Sequence, residues 1–228
     1  MRIAVFQSAA HAVVPHALTL LAAEHPALRV EVTEREPELA LFDVAARDFD
    51  LVIAEQYPGH TRAHRDDLDR VHLAADAIRL ALPPADEPNG VASDAAPATH
   101  AGPVALPTPA TLAAASAMPW VLEPEGTASR QWAEQLCRDA GFEPDVRFET
   151  ADLMAHIRLI RSGNAAGLLP DLLWAGEAPS VTLIDLPGHP EREVFTSTRL
   201  AAAARPAVVA CRDAFARAAR ATATPAGH

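Results

Sequence analysis

The residues best suited to chemistry lie at turns where an apolar, strand-like run gives way to a polar segment. In a doubly wound α/β sheet, ligands bind beyond the carboxyl ends of the strands, where helix N-termini point. Gln7-Ser8-Ala9 follows the apolar run 2–6, and Glu125-Gly126-Thr127 follows the run 120–122. Each turn offers a hydroxyl, unpaired backbone N–H groups and the positive end of a helix dipole, which together favour a carboxylate or similar anion. Gly126 lets the backbone approach a guest closely. On the residues alone, Ser8 and Thr127 also read as ordinary helix caps. At a third turn, Glu149-Thr150-Ala151-Asp152, either Thr150 or Asp152 can cap the next helix, and Thr150 is carried as a ligand contact. Glu55-Gln56-Tyr57 ends the run 51–54; Tyr57, the single tyrosine, either packs on the surface or covers a ligand ring. Pro170 closes the run 166–169 and would line a cleft floor.

Catalytic constellations are missing. There is no G-x-S-x-G elbow, no phosphate-binding loop and no H-E-x-x-H. The ten histidines form no metal pattern: His11 and His16 lie five apart, off one helical face, and His60, His64 and His72 are spread over a turn and a strand. Asp66, Asp67 and Asp69 form a solvated acidic run. Cys137 and Cys211 lack C-x-x-C spacing, so neither a disulfide framework nor a zinc site is indicated. The residues point to binding rather than catalysis, with no metal and no cofactor.

The charge balance narrows the partners. Nineteen basic residues, all Arg, face thirty acidic ones, for a net charge of −11. That balance opposes a grip on nucleic-acid phosphates or on an anionic membrane surface. The apolar start at 3–6 is too short for a signal-peptide core, and no run reaches the ~20 apolar residues of a membrane span. A cytoplasmic protein is expected. At 228 residues the chain holds one large or two small domains, long enough to bury a core without staples.

The elements that must position these turns read as β-α-β units. A strand over 2–6 precedes a helix over 9–25, which Pro15 kinks or shortens and Pro26 ends. A strand over 28–34, a helix over 38–47 with Leu39, Phe42 and Ala46 inward, and a strand over 51–54 follow, predicting parallel strands with right-handed crossovers. Two further strands fall at 68–73 and 78–82. Residues 86–102, rich in Pro, Ala, Ser and Asp, read as a mobile loop. Strands at 120–122, 146–149, 166–169, 181–186 and 194–199 alternate with helices at 126–140, 152–161 and 206–220. Segment 34–54 matches segment 149–169 in plan, a pattern expected of two similar lobes facing each other across a cleft, or of any two β-α-β units.

Several stretches, in order, resemble the effector-binding domain of LysR-type transcriptional regulators. They are Arg2-Ile3-Ala4-Val5-Phe6-Gln7-Ser8, His25-Pro26-Ala27-Leu28-Arg29-Val30-Glu31-Val32, Phe49-Asp50-Leu51-Val52-Ile53, Met118-Pro119-Trp120-Val121, Ala140-Gly141-Phe142-Glu143-Pro144, Glu149-Thr150-Ala151-Asp152 and Gly167-Leu168-Leu169-Pro170. The resemblance implies a type 2 periplasmic-binding-protein-like α/β fold: two α/β lobes, a cleft between them and two crossover strands. Lobe I would comprise 1–83 and 192–228, lobe II 84–191, with crossovers near 82–84 and 192–193. It turns Gln7, Ser8, Ala9, Tyr57, Gly126, Thr127, Thr150 and Pro170 toward a small-molecule effector, expected to carry a carboxylate. It also implies a homodimer, through helices 9–25 and 152–161, that contacts DNA only through a helix-turn-helix absent from this chain. The alternatives are a solute-binding protein of a transport system, which needs export, and a prephenate dehydratase-like enzyme. The latter needs a Thr-Arg-Phe motif, which Ser197-Thr198-Arg199-Leu200 approaches without the aromatic.

Overall fold

A computed structural model describes residues 1–60, 65–84 and 112–223, so the expected loop at 86–102 lies outside the described residues. Strand β1 (Arg2–Val5) leads into two short helices, α1 (Gln7–Ala12) and α2 (Val14–Glu24). The single helix expected over 9–25 is broken at Val13, because Pro15 takes one of the first two positions of α2, where its missing N–H costs nothing. Strand β2 (Glu31–Glu34), helix α3 (Pro37–Ala45) and strand β3 (Leu51–Gln56) follow. Strands β1, β2 and β3 pair in parallel in the order β2-β1-β3.

Helices cover both faces of that sheet. Ile3, Val5, Leu51 and Ile53 pack with Val14, Ala17 and Leu21 of α2 and with Val208, Cys211 and Phe215 of α6 (Pro206–Ala223). Ala4, Val52 and Ala54 point the other way, onto Ala40 and Val44 of α3. The inward face of α3 is therefore Pro37, Ala40 and Val44; Leu39 and Phe42, expected inside, are 52% and 64% exposed. Small residues let α3 lie close to the sheet, so the larger side chains are turned outward.

The second lobe repeats the plan. Strand β5 (Pro119–Leu122), helix α4 (Ala128–Asp139), strand β6 (Asp145–Glu149), helix α5 (Leu153–Arg161) and strand β7 (Gly167–Pro170) succeed one another. Strands β5 and β6 are parallel, and β5 meets the start of β7 through a parallel bridge between Trp120 and Ala166. The order β6-β5-β7 thus mirrors β2-β1-β3. Trp120 and Leu122 pack with Trp132 and Cys137 of α4 on one face; Val121 and Leu169 pack with Ile157 and Ile160 of α5 on the other. A Cβ on Gly167 would stand 3.1 Å from the Ile160 side chain and 3.2 Å from the Val121 carbonyl, so this crossing needs glycine.

One long strand ties the halves together. Strand β4 (Val71–Leu82) replaces the two strands expected at 68–73 and 78–82. Its residues 71–77 pair with β9 (Glu191–Ser197), and residues 78–82 pair with β7 and with β8 (Thr182–Asp185). Strand β9 in turn runs antiparallel to β3, which carries the chain back to the first sheet. The partners of β4 change between Ala77 and Ile78, where Ile78 N–H donates to the Pro190 carbonyl at 3.0 Å.

Candidate functional site

At the junction of the lobes lies Arg192 of β9, 2% exposed. It faces Asp76 of β4 directly across the ladder. Nε donates to Asp76 Oδ2 at 2.8 Å, Nη1 to Glu55 of β3, and Nη2 to Ser8 Oγ at 2.6 Å. The Phe6 ring lies 5.1 Å from the guanidinium carbon. Asp76 spends its other oxygen on the Leu172 N–H, 2.8 Å away. Burial disfavours the guanidinium charge, yet the Glu55 and Asp76 carboxylates outweigh that cost and raise the Arg192 pKa. Four segments, residues 6–8, β3, β4 and β9, therefore meet at one buried cation, and Leu172 is held to it through Asp76.

Beside this cluster opens a narrow cleft of about 20 Å³. Its interior has room for only a water molecule or two. Tyr57, just past the end of β3, forms one wall and tilts against Trp132 of α4, with ring centroids 5.6 Å apart. Leu122 and Glu123 extend from the end of β5, and Ser129 from the first turn of α4. Leu153 and His156 of α5 and Pro170 of β7 complete it. Gln7 bonds to α5 next to this wall: its Nε2 donates to Asp152 Oδ1 at 3.1 Å, and its Oε1 accepts from Leu153 N–H at 2.8 Å. That one amide joins the N-termini of α1 and α5.

The ionisable groups of the cleft are strongly biased by it. Burial, reinforced by the Glu55 charge, pushes the Glu123 carboxyl up to about 7. Burial also raises the Tyr57 hydroxyl, again with Glu55 adding to the effect, while a hydrogen bond with Arg192 opposes it. Burial lowers the His156 imidazole. His156 Nε2 lies 2.8 Å from the Thr150 carbonyl; that contact needs Nε2–H, so the neutral ring leaves Nδ1 as an acceptor. Nδ1 is buried and has no hydrogen-bond partner among the described residues.

The expected contacts separate into three groups. Tyr57 and Pro170 line the cleft; Gln7 is outside the lining and bonds instead to Asp152 and to the backbone of Leu153. Ser8 is fully buried behind it, with its hydroxyl held by Arg192. It is not a cap: α1 begins at Gln7, Phe6 occupies the cap position, and no side chain bonds the helix end there. Ala9 is likewise buried, in the core of the first lobe. Gly126, Thr127 and Thr150 stand apart from the cleft lining. Thr127 caps α4, accepting from Arg130 N–H at 3.3 Å and donating to the Pro124 carbonyl at 2.9 Å. Gly126 is exposed with open space around it; its φ of +88°, rather than a close approach, calls for glycine. Asp152, not Thr150, caps α5. Thr150 Oγ1 instead accepts from Asp152 N–H at 3.1 Å.

Glu123, Ser129, Trp132 and His156 were not singled out by the sequence. Glu123 has the same signal as Glu55, a carboxylate one residue past an apolar strand. Trp132 and His156 carry the helical spacing of core residues, which hides a cleft-facing role. The sequence points to a carboxylate-bearing ligand, whereas the cleft wall offers carboxylate and imidazole acceptors. Ser197-Thr198-Arg199 is committed to structure: the two hydroxyls donate to the Asp69 and Asp50 carbonyls, and Arg199 donates to the carbonyls of Val44 and Phe49. Among the described residues no group of His, Cys, Asp or Glu is arranged to hold a metal ion, and no helix is long and apolar enough to cross a membrane.

Known proteins share this architecture. The C-terminal domain of a probable LysR family transcriptional regulator from Rhodococcus sp. RHA1 superposes with a TM-score of 0.68 at 19% identity, over 96% of this chain and 98% of that one. An OxyR mutant from Porphyromonas gingivalis gives a TM-score of 0.70 at 17% identity, over 96% and 92%. The transcriptional dual regulator GltC of Bacillus subtilis (strain 168) is 39% identical over 64 residues, which cover 28% of this chain and 21% of GltC. The aligned part is thus about a fifth of that relative's length. The family model described as LysR substrate binding domain matches residues 1–220. The chain belongs to the LysR substrate-binding domain family.

Proposed function

We propose that this chain is the small-molecule-sensing part of a cytoplasmic transcription regulator, binding its effector in the cleft between the lobes. The observation that carries this reading is the cleft itself. Aromatic, apolar and a few polar groups from both halves of the fold converge there, beside a buried cation that holds the crossover strands together. A guest larger than a water or two must part the walls, so its binding energy is coupled to the angle between the lobes. We infer lobe I as 1–83 with 192–228 and lobe II as 84–191. The domain binds and does not catalyse.

In the full regulator, DNA is contacted by a part of the protein outside this chain. The solved structure of full-length CbnR with its target DNA supports that arrangement; this chain covers 69% of CbnR. Pairing with a second copy uses α2 and α5, which leave Leu18 and Met154 exposed. A thermal-shift screen of metabolites tests the sensing role. An effector raises the melting temperature of the wild-type chain by mass action and fails to do so for Trp132→Ala. A ligand that stabilises both equally argues against the cleft.

A further inference from the structure

We propose that the cleft recognises an aliphatic ammonium group, so that the effector is a small amine rather than a simple carboxylate. This rests on the sensing role above and deepens it. The cleft wall offers two acceptors, the Glu123 carboxyl and His156 Nδ1, beside the Tyr57 hydroxyl and the Trp132 indole N–H. Glu123 contributes a carboxyl group to the wall, a carboxylate once the pH rises through about 7. His156 presents the lone pair of Nδ1, buried and without a partner, because its ring proton is used on the Thr150 carbonyl. An unpaired acceptor of this kind is costly in a folded interior unless something with a proton to give arrives. An ammonium brings three donors and no acceptor. A carboxylate brings acceptors only and would face Glu123 as a like charge.

The rest of the wall agrees. Trp132 and Tyr57 supply two aromatic surfaces against which a cation is stabilised. Arg192, the buried cation nearby, is engaged by Glu55, Asp76 and Ser8, with Tyr57 against it on the cleft side, and so is already compensated by two carboxylates. The narrow interior suits a small head group, and Leu153 and Pro170 give the same wall an apolar surface for an alkyl chain.

Calorimetric titration of the whole chain with a matched four-carbon pair, 1,4-diaminobutane and succinate, tests the assignment. The diamine binds at least tenfold more tightly than succinate, and Glu123→Gln, which keeps the shape and removes the charge, weakens the diamine at least tenfold. The charged groups acting on Glu123 are Glu55, Glu36 and Arg192, with Tyr57 and His156 in the same walls. Because their net effect holds Glu123 partly protonated near neutrality, diamine affinity rises between pH 6 and pH 8, and the rise disappears in Glu123→Gln. Succinate binding that Trp132→Ala abolishes, with no diamine binding, overturns the ammonium assignment and leaves the sensing cleft standing. Binding of either compound that is unchanged in both variants places the ligand outside the cleft and overturns both. Failure of both compounds to bind overturns the ammonium assignment.

Discussion

Asp76 and Arg192 sit opposite one another on β4 and β9, with the carboxylate 2.8 Å from Nε and 2.7 Å from Nη2. This pair stands one residue from the point where β4 changes partners from β9 to β7 and β8. A buried ion pair is weak as a source of net stability but expensive to break from one side. Its place at the crossover makes it a register device: it fixes how the two strands that join the lobes sit against each other. Glu55 and Ser8 complete the coordination, so β3 and α1 are tied to the same point.

Replacing Arg192 alone strands two buried carboxylates. Arg192→Met is expected to lose about 3–5 kcal/mol of stability, the usual cost of an uncompensated buried charge. Urea denaturation reads this as a lower midpoint at unchanged slope. A loss under about 1 kcal/mol would show that the cluster relaxes or hydrates without penalty.

Ser8 acts through the same cation. Its hydroxyl accepts from Arg192 at 2.6 Å, so Ser8→Ala removes a charge-assisted hydrogen bond inside the protein. The expected cost is about 1.5–3 kcal/mol, a melting-temperature drop of several degrees for a domain of this size. A cap reading of Ser8 makes Ser8→Gly nearly neutral in stability; the structure makes it destabilising. Differential scanning calorimetry on Ser8→Ala and Ser8→Gly decides between them.

Thr127 is the converse case. Its hydroxyl is occupied within its own turn, with Pro124 and Arg130. Thr127→Val is expected to cost about 1 kcal/mol through the lost cap and to leave effector affinity unchanged. A large loss of affinity at unchanged stability would restore Thr127 as a ligand contact.

Glu123 writes a signature on the pH dependence of stability. Its folded pKa is raised from 4.5 to about 7, so between those values the native state binds more protons than the unfolded state. Stability contributed by this group therefore falls as pH rises from about 4.5 to 7, by up to ~3 kcal/mol. His156, held neutral by burial, works in the opposite sense: its lowered pKa costs stability as pH falls below 6.5. The two overlap, so the Glu123 effect is read as the difference between wild type and Glu123→Gln across pH 5–8. A difference that does not change with pH shows that Glu123 titrates as an ordinary surface carboxyl.

The order of the elements was legible in the sequence because the strands are short, β-branched and bounded by polar turns. Leu51 to Ile53 and Trp120 to Leu122 carry that pattern openly. The 34–54 and 149–169 segments proved to be matching β-α-β units in matching sheets. The orientation of α3 was not legible: Leu39 and Phe42 are large and apolar, but the face laid on the sheet is Ala40 and Val44, with Leu41 at its edge. The continuity of β4 was hidden because residues 74–77, three alanines and Asp76, lack the β-branched pattern of a strand, yet they pair with β9, with Asp76 answering Arg192. In the cleft, Tyr57 and Pro170 were visible as residues after strand ends. Glu123 and His156 were not, since their meaning comes from burial and from the partners they lack.

A crystal structure of the chain with a ligand from the thermal-shift screen tests the central claim most directly, that the effector is held between the lobes. The ligand is expected against Tyr57 and Trp132, with a nitrogen within hydrogen-bond distance of Glu123 and His156 Nδ1, and with the walls parted relative to the narrow cleft described above. A specific ligand bound elsewhere on the chain, with this cleft still closed, would contradict the account.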